Sequence, residues 1–150
     1  MHSFTAERKL FLIAALVFLF EFVLGTIVAL QLNLSDPGVG GSVREHWMLN
    51  GTPITAPLVF MIPYVIFLVL AFRQRWVGTL GIVGLTLMTL ASGLSWIADH
   101  GMVQRVIQQH LNPGTGVSVA LLVLATPAIV VLGILTLVQR WQSRRSAVIA

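Results

Sequence analysis

Glu21 is the residue whose type and position most clearly call for a chemical explanation. It lies in the middle of an apolar stretch, residues 10–32, that contains no other charged residue. An ionised carboxylate inside a membrane costs several kcal/mol unless it is paired, hydrated or protonated. Ala14 and Gly25 share its helical face, and small residues let another helix approach, so we expect Glu21 to point into a helix bundle. It is either a proton- or cation-binding group or a neutral acid that ties helices together.

Four hydroxyl side chains in the later apolar stretches lie at about the same depth as Glu21. Counted inward from the ends of their stretches, they are Tyr64, Thr86, Thr89 and Thr126. A proline adjoins Tyr64 and another adjoins Thr126, and a proline inside a helix frees a carbonyl that hydroxyls or water can satisfy. Together with Glu21, these residues form a candidate ligand- or proton-binding layer at mid-depth.

A second, weaker candidate site consists of side chains in the segments that connect the apolar stretches. His46, His100 and His110 lie there, beside Glu45 and Asp99. Imidazole and carboxylate groups are ligands for Zn and Cu. Their spacing matches no recognised ligand pattern, and solvated loop histidines are the alternative, so the identity of any metal stays open.

The sequence implies no cofactor firmly and argues against an enzyme without excluding one. No histidine lies within the apolar stretches, so a haem would have to lie near the outer rim of the bundle. Serine-hydrolase, zinc-protease, phosphate-loop and dinucleotide motifs are absent from the sequence. The chain has no cysteine, which excludes disulfides, thiolate metal sites and cysteine nucleophiles.

The elements that must position these residues are predicted from hydropathy. The 150-residue chain is 57% hydrophobic and 9% charged, and its mean hydropathy is +0.92, so lipid rather than water suits its surface. Its apolar residues fall into four blocks, at about 10–32, 54–72, 77–98 and 117–138, each near the ~20 residues that cross a bilayer. We therefore predict an all-α integral membrane protein, a single four-transmembrane-helix domain over residues 1–150.

Two short helices are predicted in the connecting loops. Ser42 followed by Glu45 forms a capping box, which predicts a helix near 43–50. In the second loop, residues 99–112 carry apolar side chains on one helical stripe and polar ones opposite, as in a helix lying on a membrane surface. Both helices are expected at the outer interface of the bilayer.

Basic residues predict the direction in which the chain threads. If the four spans alternate, seven of the nine Lys and Arg residues lie on one side, with only Arg44 and Arg105 on the other. Basic residues in short loops stay cytoplasmic, so both termini are predicted inside a multi-pass cell membrane, of the bacterial inner-membrane type. The same residues form no basic stripe with interleaved aromatics, which argues against nucleic acid as a partner.

Part of the first span resembles the small multidrug resistance transporters, in which a mid-span glutamate alternates between protons and cationic drugs. The likeness covers Glu21, Gly25 and Thr26 and does not identify the chain as a member, because the chain is longer and its outer loops are predicted to be structured. It implies proton-coupled transport as an alternative function.

Three functions are therefore open. The leading one is a non-catalytic bundle that acts as an accessory subunit or binds a small ligand, with the bilayer and a membrane protein or second copy as partners. The second is a proton-coupled small transporter that uses Glu21. The third is a protein that binds haem, quinone or a metal near its outer face.

Overall fold

The structure, a computed structural model, describes residues 5–34, 42–52, 54–73, 75–98 and 113–149. Within these ranges the regular secondary structure is helical. The described residues also contain an isolated β-bridge between Thr52 and Thr55. The five helices in chain order are α1 (Ala6–Leu32), α2 (Val43–Asn50), α3 (Leu58–Ala71), α4 (Arg75–Ala98) and α5 (Pro113–Ile149).

Three segments of these helices are long and apolar enough to cross a membrane. They are Ala6–Leu32, Trp76–Ser95 and Pro113–Ser143. Large apolar side chains also cover the outside of the helices, where a water-soluble protein would carry charge, for example at Phe20 and Leu124. The chain is therefore a helical protein suited to a membrane.

The second predicted span differs from the expectation. Residues 54–72 contain a helix of 14 residues, Leu58–Ala71, whose length of about 21 Å falls short of a ~30 Å hydrocarbon core. The described structure thus has three helices of spanning length and not four. Pro57 accounts for the late start, because its ring disfavours the α conformation for the preceding residue, Ala56.

A turn takes the place of the missing first turns of that helix. The backbone N–H of Thr52 donates to the carbonyl of Thr55 at 3.0 Å, and the N–H of Thr55 donates back at 3.3 Å. The Thr52 hydroxyl also accepts from the N–H groups of Ile54 and Thr55. Backbone groups that lack a helical partner are therefore satisfied locally.

The long helices pack in a bundle in which α5 contacts both α1 and α4, and α3 contacts α4. Between α1 and α3 the link is aromatic, because the rings of Phe18 and Tyr64 stack with centroids 5.1 Å apart. Gly133 lets α5 approach α4 closely: a Cβ there would lie 2.2 Å from the Thr86 hydroxyl oxygen. In the main core, the largest fully buried residues are Phe11, Phe18, Tyr64, Ile82, Leu85 and Ile129.

The predicted loop helix at 43–50 is present as α2, and Ser42 caps it by accepting from the N–H of Arg44. Helix α5 is longer than the predicted span 117–138, with 37 residues. The predicted surface helix at 99–112 lies outside the described residues.

Candidate functional site around Glu21

The Glu21 side chain is buried between helices, with 1% of its surface exposed. Its Oε1 accepts a hydrogen bond of 2.8 Å from the hydroxyl of Ser118, which is itself fully buried on α5. The bond joins α1 to α5 across 97 residues of sequence. A carboxyl group in an apolar bundle is thereby given a polar partner.

Gly25, one helical turn after Glu21, marks the point where three segments converge. A Cβ at this position would lie 2.6 Å from the Ser118 hydroxyl oxygen, 2.6 Å from Cγ2 of Thr55 and 3.0 Å from Oε1 of Glu21. These separations are far below van der Waals contact, so no larger residue fits without displacing a neighbour. The carboxyl group is therefore packed tightly on the side that faces Gly25.

Threonine hydroxyls continue the polar cluster away from Glu21. The hydroxyls of Thr26 and Thr55 are 3.2 Å apart, and those of Thr55 and Thr52 are 2.7 Å apart. On α5, three residues before Ser118, the Thr115 hydroxyl is buried and has no hydrogen-bond partner among the described residues. We call Glu21, Ser118, Thr26, Thr55 and Thr52 the polar cluster.

In the described part of the chain, none of the four hydroxyl residues predicted at the same depth as Glu21 is hydrogen-bonded to its carboxyl group. The Tyr64 hydroxyl donates to the carbonyl of Ala15 at 3.1 Å, and the Thr86 hydroxyl donates to Ile82 in its own helix at 2.8 Å. Thr89 is buried beside Tyr64. The Thr126 side chain lies next to Gly93, between α4 and α5.

Sequence reasoning missed Ser118 and Thr55 for a common reason. Depth was counted from the ends of the apolar blocks, so both residues were placed at the edge of their spans. The helix offset between α1 and α5 instead brings Ser118 level with Glu21. One signal was available in the sequence: Thr115 and Ser118 are three residues apart and share a helical face.

A groove of about 410 Å³ runs between α4 and α5. Its lining is mostly apolar, with Ser92 and Thr126 as polar exceptions, and it includes Gly93 and Pro127.

The loop histidine site is described only in part. His46 Nε2 and Glu45 Oε2 are 4.0 Å apart, and both side chains are well exposed. Asp99, His100 and His110 lie outside the described residues. Within the ranges that the structure covers, no three His, Asp or Glu side chains are grouped as metal ligands would be.

One end of the bundle gathers basic side chains, and we call it the basic end. The Arg8 guanidinium, 7% exposed, donates to the carbonyl of Ala71 at 2.7 Å and also to that of Arg73, at the C-terminus of α3. The Arg140 guanidinium donates to the Thr79 hydroxyl at 2.7 Å. The start of α1, the α3–α4 turn and the last part of α5 therefore lie together.

No protein-family model, curated protein or solved structure matches the chain. Its class accordingly follows from the fold and the site alone. It is a helical protein with three apolar helices that could span a membrane and a buried carboxyl group that joins two of them.

Proposed function

We propose that the chain is a non-catalytic membrane protein of four crossings that serves as an accessory subunit or binds a small ligand. The observation that carries the proposal is the Glu21–Ser118 hydrogen bond. A carboxyl group that is packed against Gly25 and bonded to a neighbouring helix has the geometry of a structural tie, as polar groups have in other membrane bundles.

A fourth crossing is supported by the segment that precedes α3. After the Thr52–Thr55 turn, Ala56 and Pro57 are not helical and, at about 3.3 Å per residue, add at most about 7 Å to the ~21 Å of α3, which together approach the ~30 Å of a hydrocarbon core. Non-helical backbone is tolerated at membrane depth where protein buries it. Ile54 and Thr55 are both buried, and the Thr52–Thr55 pairing satisfies backbone groups.

The basic end is proposed to face the cytoplasm, as in a bacterial-type inner membrane. The contacts of Arg8 with the α3–α4 turn and of Arg140 with α4 support a common side for both termini and that turn. Positive charge is retained on the cytoplasmic side during insertion. Reporter tags at the N-terminus, in residues 35–41 and at the C-terminus are expected to read inside, outside and inside; opposite locations for the two termini would contradict four crossings.

Contact with another chain is proposed at the opposite end, where α2 lies. This helix exposes Met48 and Leu49, the latter to 73%. Exposed apolar side chains on a short helix at a bundle end suit either the bilayer interface or a second polypeptide, including another copy of this chain. Cross-links from a photoreactive residue at Leu49 would distinguish a polypeptide from lipid.

The test of a structural role for Glu21 is the isosteric change Glu21→Gln. A glutamine can still accept the Ser118 hydrogen bond, so we expect normal insertion, unchanged assembly and an unchanged cross-linking pattern at Leu49. Ser143→Ala, at an exposed site on α5, is the matched control for effects that come from preparing a variant rather than from the loss of the carboxylate. Loss of every function of the native membrane complex in a fully folded Glu21→Gln protein would overturn the structural role.

A proton-coupled transporter is the second candidate, and one observation favours it. Glu21 lies close to a non-helical segment, since both Glu21 and Thr55 approach Gly25. Transporters often bind coupling ions where a helix is interrupted near an intramembrane carboxylate. Proteoliposomes that contain a pH-sensitive dye separate the two candidates: transport predicts proton flux on addition of cationic compounds that Glu21→Gln abolishes, whereas a structural tie predicts equal traces.

A further inference from the structure

The groove between α4 and α5 opens on the outside of the helices. Val123 and Val131 on one wall are each 54% exposed, and Leu94 on the other wall is exposed as well. The volume of about 410 Å³ is within the range of small-molecule sites in proteins, roughly 300–1,000 Å³. A molecule dissolved in a bilayer would reach this groove from the side, without passing through the bundle.

Two hydroxyl groups in the lining have no hydrogen-bond partner within the ranges that the structure covers, those of Ser92 and Thr126. Other threonines in the same two helices do: Thr86 and Thr136 each donate to the carbonyl four residues earlier. Gly93 brings α4 and α5 together at this level, because a Cβ there would lie 2.9 Å from Cγ2 of Thr126. A hydroxyl group in an apolar setting is costly unless a partner is supplied.

Pro127 adds a hydrogen-bond acceptor to the same groove. In a regular helix the N–H of residue 127 would donate to the carbonyl of Val123, but proline has no N–H, so this carbonyl lacks its helical donor. Val123 and Pro127 are both lining residues. The groove therefore combines two hydroxyls and one backbone acceptor with an otherwise apolar wall.

The depth of these polar groups restricts the kind of molecule that suits them. Thr126 lies near the middle of the spanning segment Pro113–Ser143, with roughly 20–25 Å of helix to either end. A phospholipid presents hydrocarbon at such a level, because its polar atoms stay at the bilayer surface. The matching ligand is one that carries a polar group into the hydrocarbon.

We propose that the groove binds an elongated, lipid-soluble alcohol or phenol. Its hydroxyl would donate to the carbonyl of Val123 and accept from Thr126 or Ser92, which a ketone or an alkane cannot do because neither has a donor. Its apolar body would lie along the leucines and valines of the walls. The inference deepens the proposed function, since it names a ligand class for the small-ligand alternative; it rests on the proposed membrane location but not on Glu21 or a partner chain.

Photolabelling of the full chain in detergent micelles tests the proposal, with a long-chain alcohol that carries a diazirine as the probe. We expect label in residues 90–94 and 122–131, and competition by dodecanol at least about ten-fold stronger than by dodecane at equal mole fraction in the micelle. Thr126→Val keeps the side-chain shape but removes the hydroxyl, and should weaken dodecanol about five-fold. Thr136→Val, whose hydroxyl bonds within its own helix, should leave competition unchanged.

Two further variants keep the test decisive. Ser92→Ala replaces Thr126→Val if circular dichroism shows that the latter does not fold, and the same weakening is expected. Val131→Phe puts a ring into the groove from an exposed position and should abolish labelling.

Even labelling of all the exposed apolar faces would overturn the proposal, as would equal competition by dodecanol and dodecane. Equal competition by 2-dodecanone and dodecanol would overturn the hydroxyl assignment. If reporter tags confirm the four crossings while labelling is even, this inference fails and the proposed function stands. Tags that contradict the crossings, with label confined to the groove, would overturn the proposed topology and support the ligand site.

Discussion

Glu21 on α1 and Ser118 on α5 are joined by a hydrogen bond of 2.8 Å in the buried interior of the bundle. A hydroxyl and a carboxyl group that far apart in sequence meet only because the two helices run antiparallel with a particular offset. The same offset places Gly25 against Ser118. The Glu21–Ser118 hydrogen bond therefore depends on how α1 and α5 pack along their shared length.

Removal of the Ser118 hydroxyl should weaken that pair. Ser118→Ala is expected to lower the free energy of unfolding by about 1 kcal/mol, within the range of interhelical hydrogen bonds in membranes. In the double variant Ser118→Ala/Glu21→Leu, the hydroxyl donor and the carboxyl acceptor are both absent and an apolar contact remains. Its cost should therefore not exceed the sum of the costs of the two single variants. Reversible unfolding in mixed micelles, followed by circular dichroism, measures both. A neutral Ser118→Ala would show that the bond contributes nothing to stability.

Gly25→Ala should be destabilising because its Cβ would meet Ser118 and Thr55 at 2.6 Å. Overpacking of this kind typically costs about 1–3 kcal/mol. Gly116→Ala is a matched control, since no residue that the structure describes lies within 4 Å of a Cβ there, and alanine favours helix by up to about 1 kcal/mol. The same micelle assay should therefore order the three proteins as Gly116→Ala at or above wild type and Gly25→Ala below it. The reverse order would mean that α1 and α5 do not approach as described.

Arg8 should stabilise the end of α3. Its guanidinium donates to the carbonyls of Ala71 and Arg73, which lack helical partners. Arg8→Gln is expected to cost about 1.5–3 kcal/mol, as for other hydrogen bonds to a charged group. The loss should also speed tryptic cleavage after Arg73 several-fold.

Lys9→Gln is the control for Arg8→Gln, because Lys9 is exposed and carries the same charge. It should leave both stability and the cleavage rate near wild type. Equal cleavage in the two variants would show that charge at this end, and not the cap on α3, protects the turn.

The Thr26–Thr55 contact should appear as a coupling between two substitutions. Their hydroxyls are 3.2 Å apart and join α1 to the segment before α3. In a double-mutant cycle of Thr26→Val and Thr55→Val, we expect a coupling of about 0.5–1.5 kcal/mol. The pair Thr26→Val and Thr136→Val should show none, since the Thr136 hydroxyl bonds to Leu132 in its own helix. A coupling of zero in the first cycle would mean that the two hydroxyls do not interact.

The limits of sequence reasoning are clearest at α3. Hydropathy marked residues 54–72 as one apolar block, yet the helix begins only at Leu58, because Pro57 disfavours the α conformation at Ala56. Transfer to lipid depends on composition, while helix length depends on where backbone hydrogen bonds can form. The Ser42 cap, by contrast, is a local signal, and α2 begins next to it as predicted.

Composition and periodicity were sufficient to recognise an all-helical, lipid-compatible chain and to single out Glu21 as buried, because both depend on interactions within a few residues or with solvent. They could not identify Ser118 as its partner or Arg8 as the cap of α3. Those contacts join residues 97 and 63 positions apart. They depend on the rotation and axial offset of packed helices, which side-chain volumes across the whole bundle determine together.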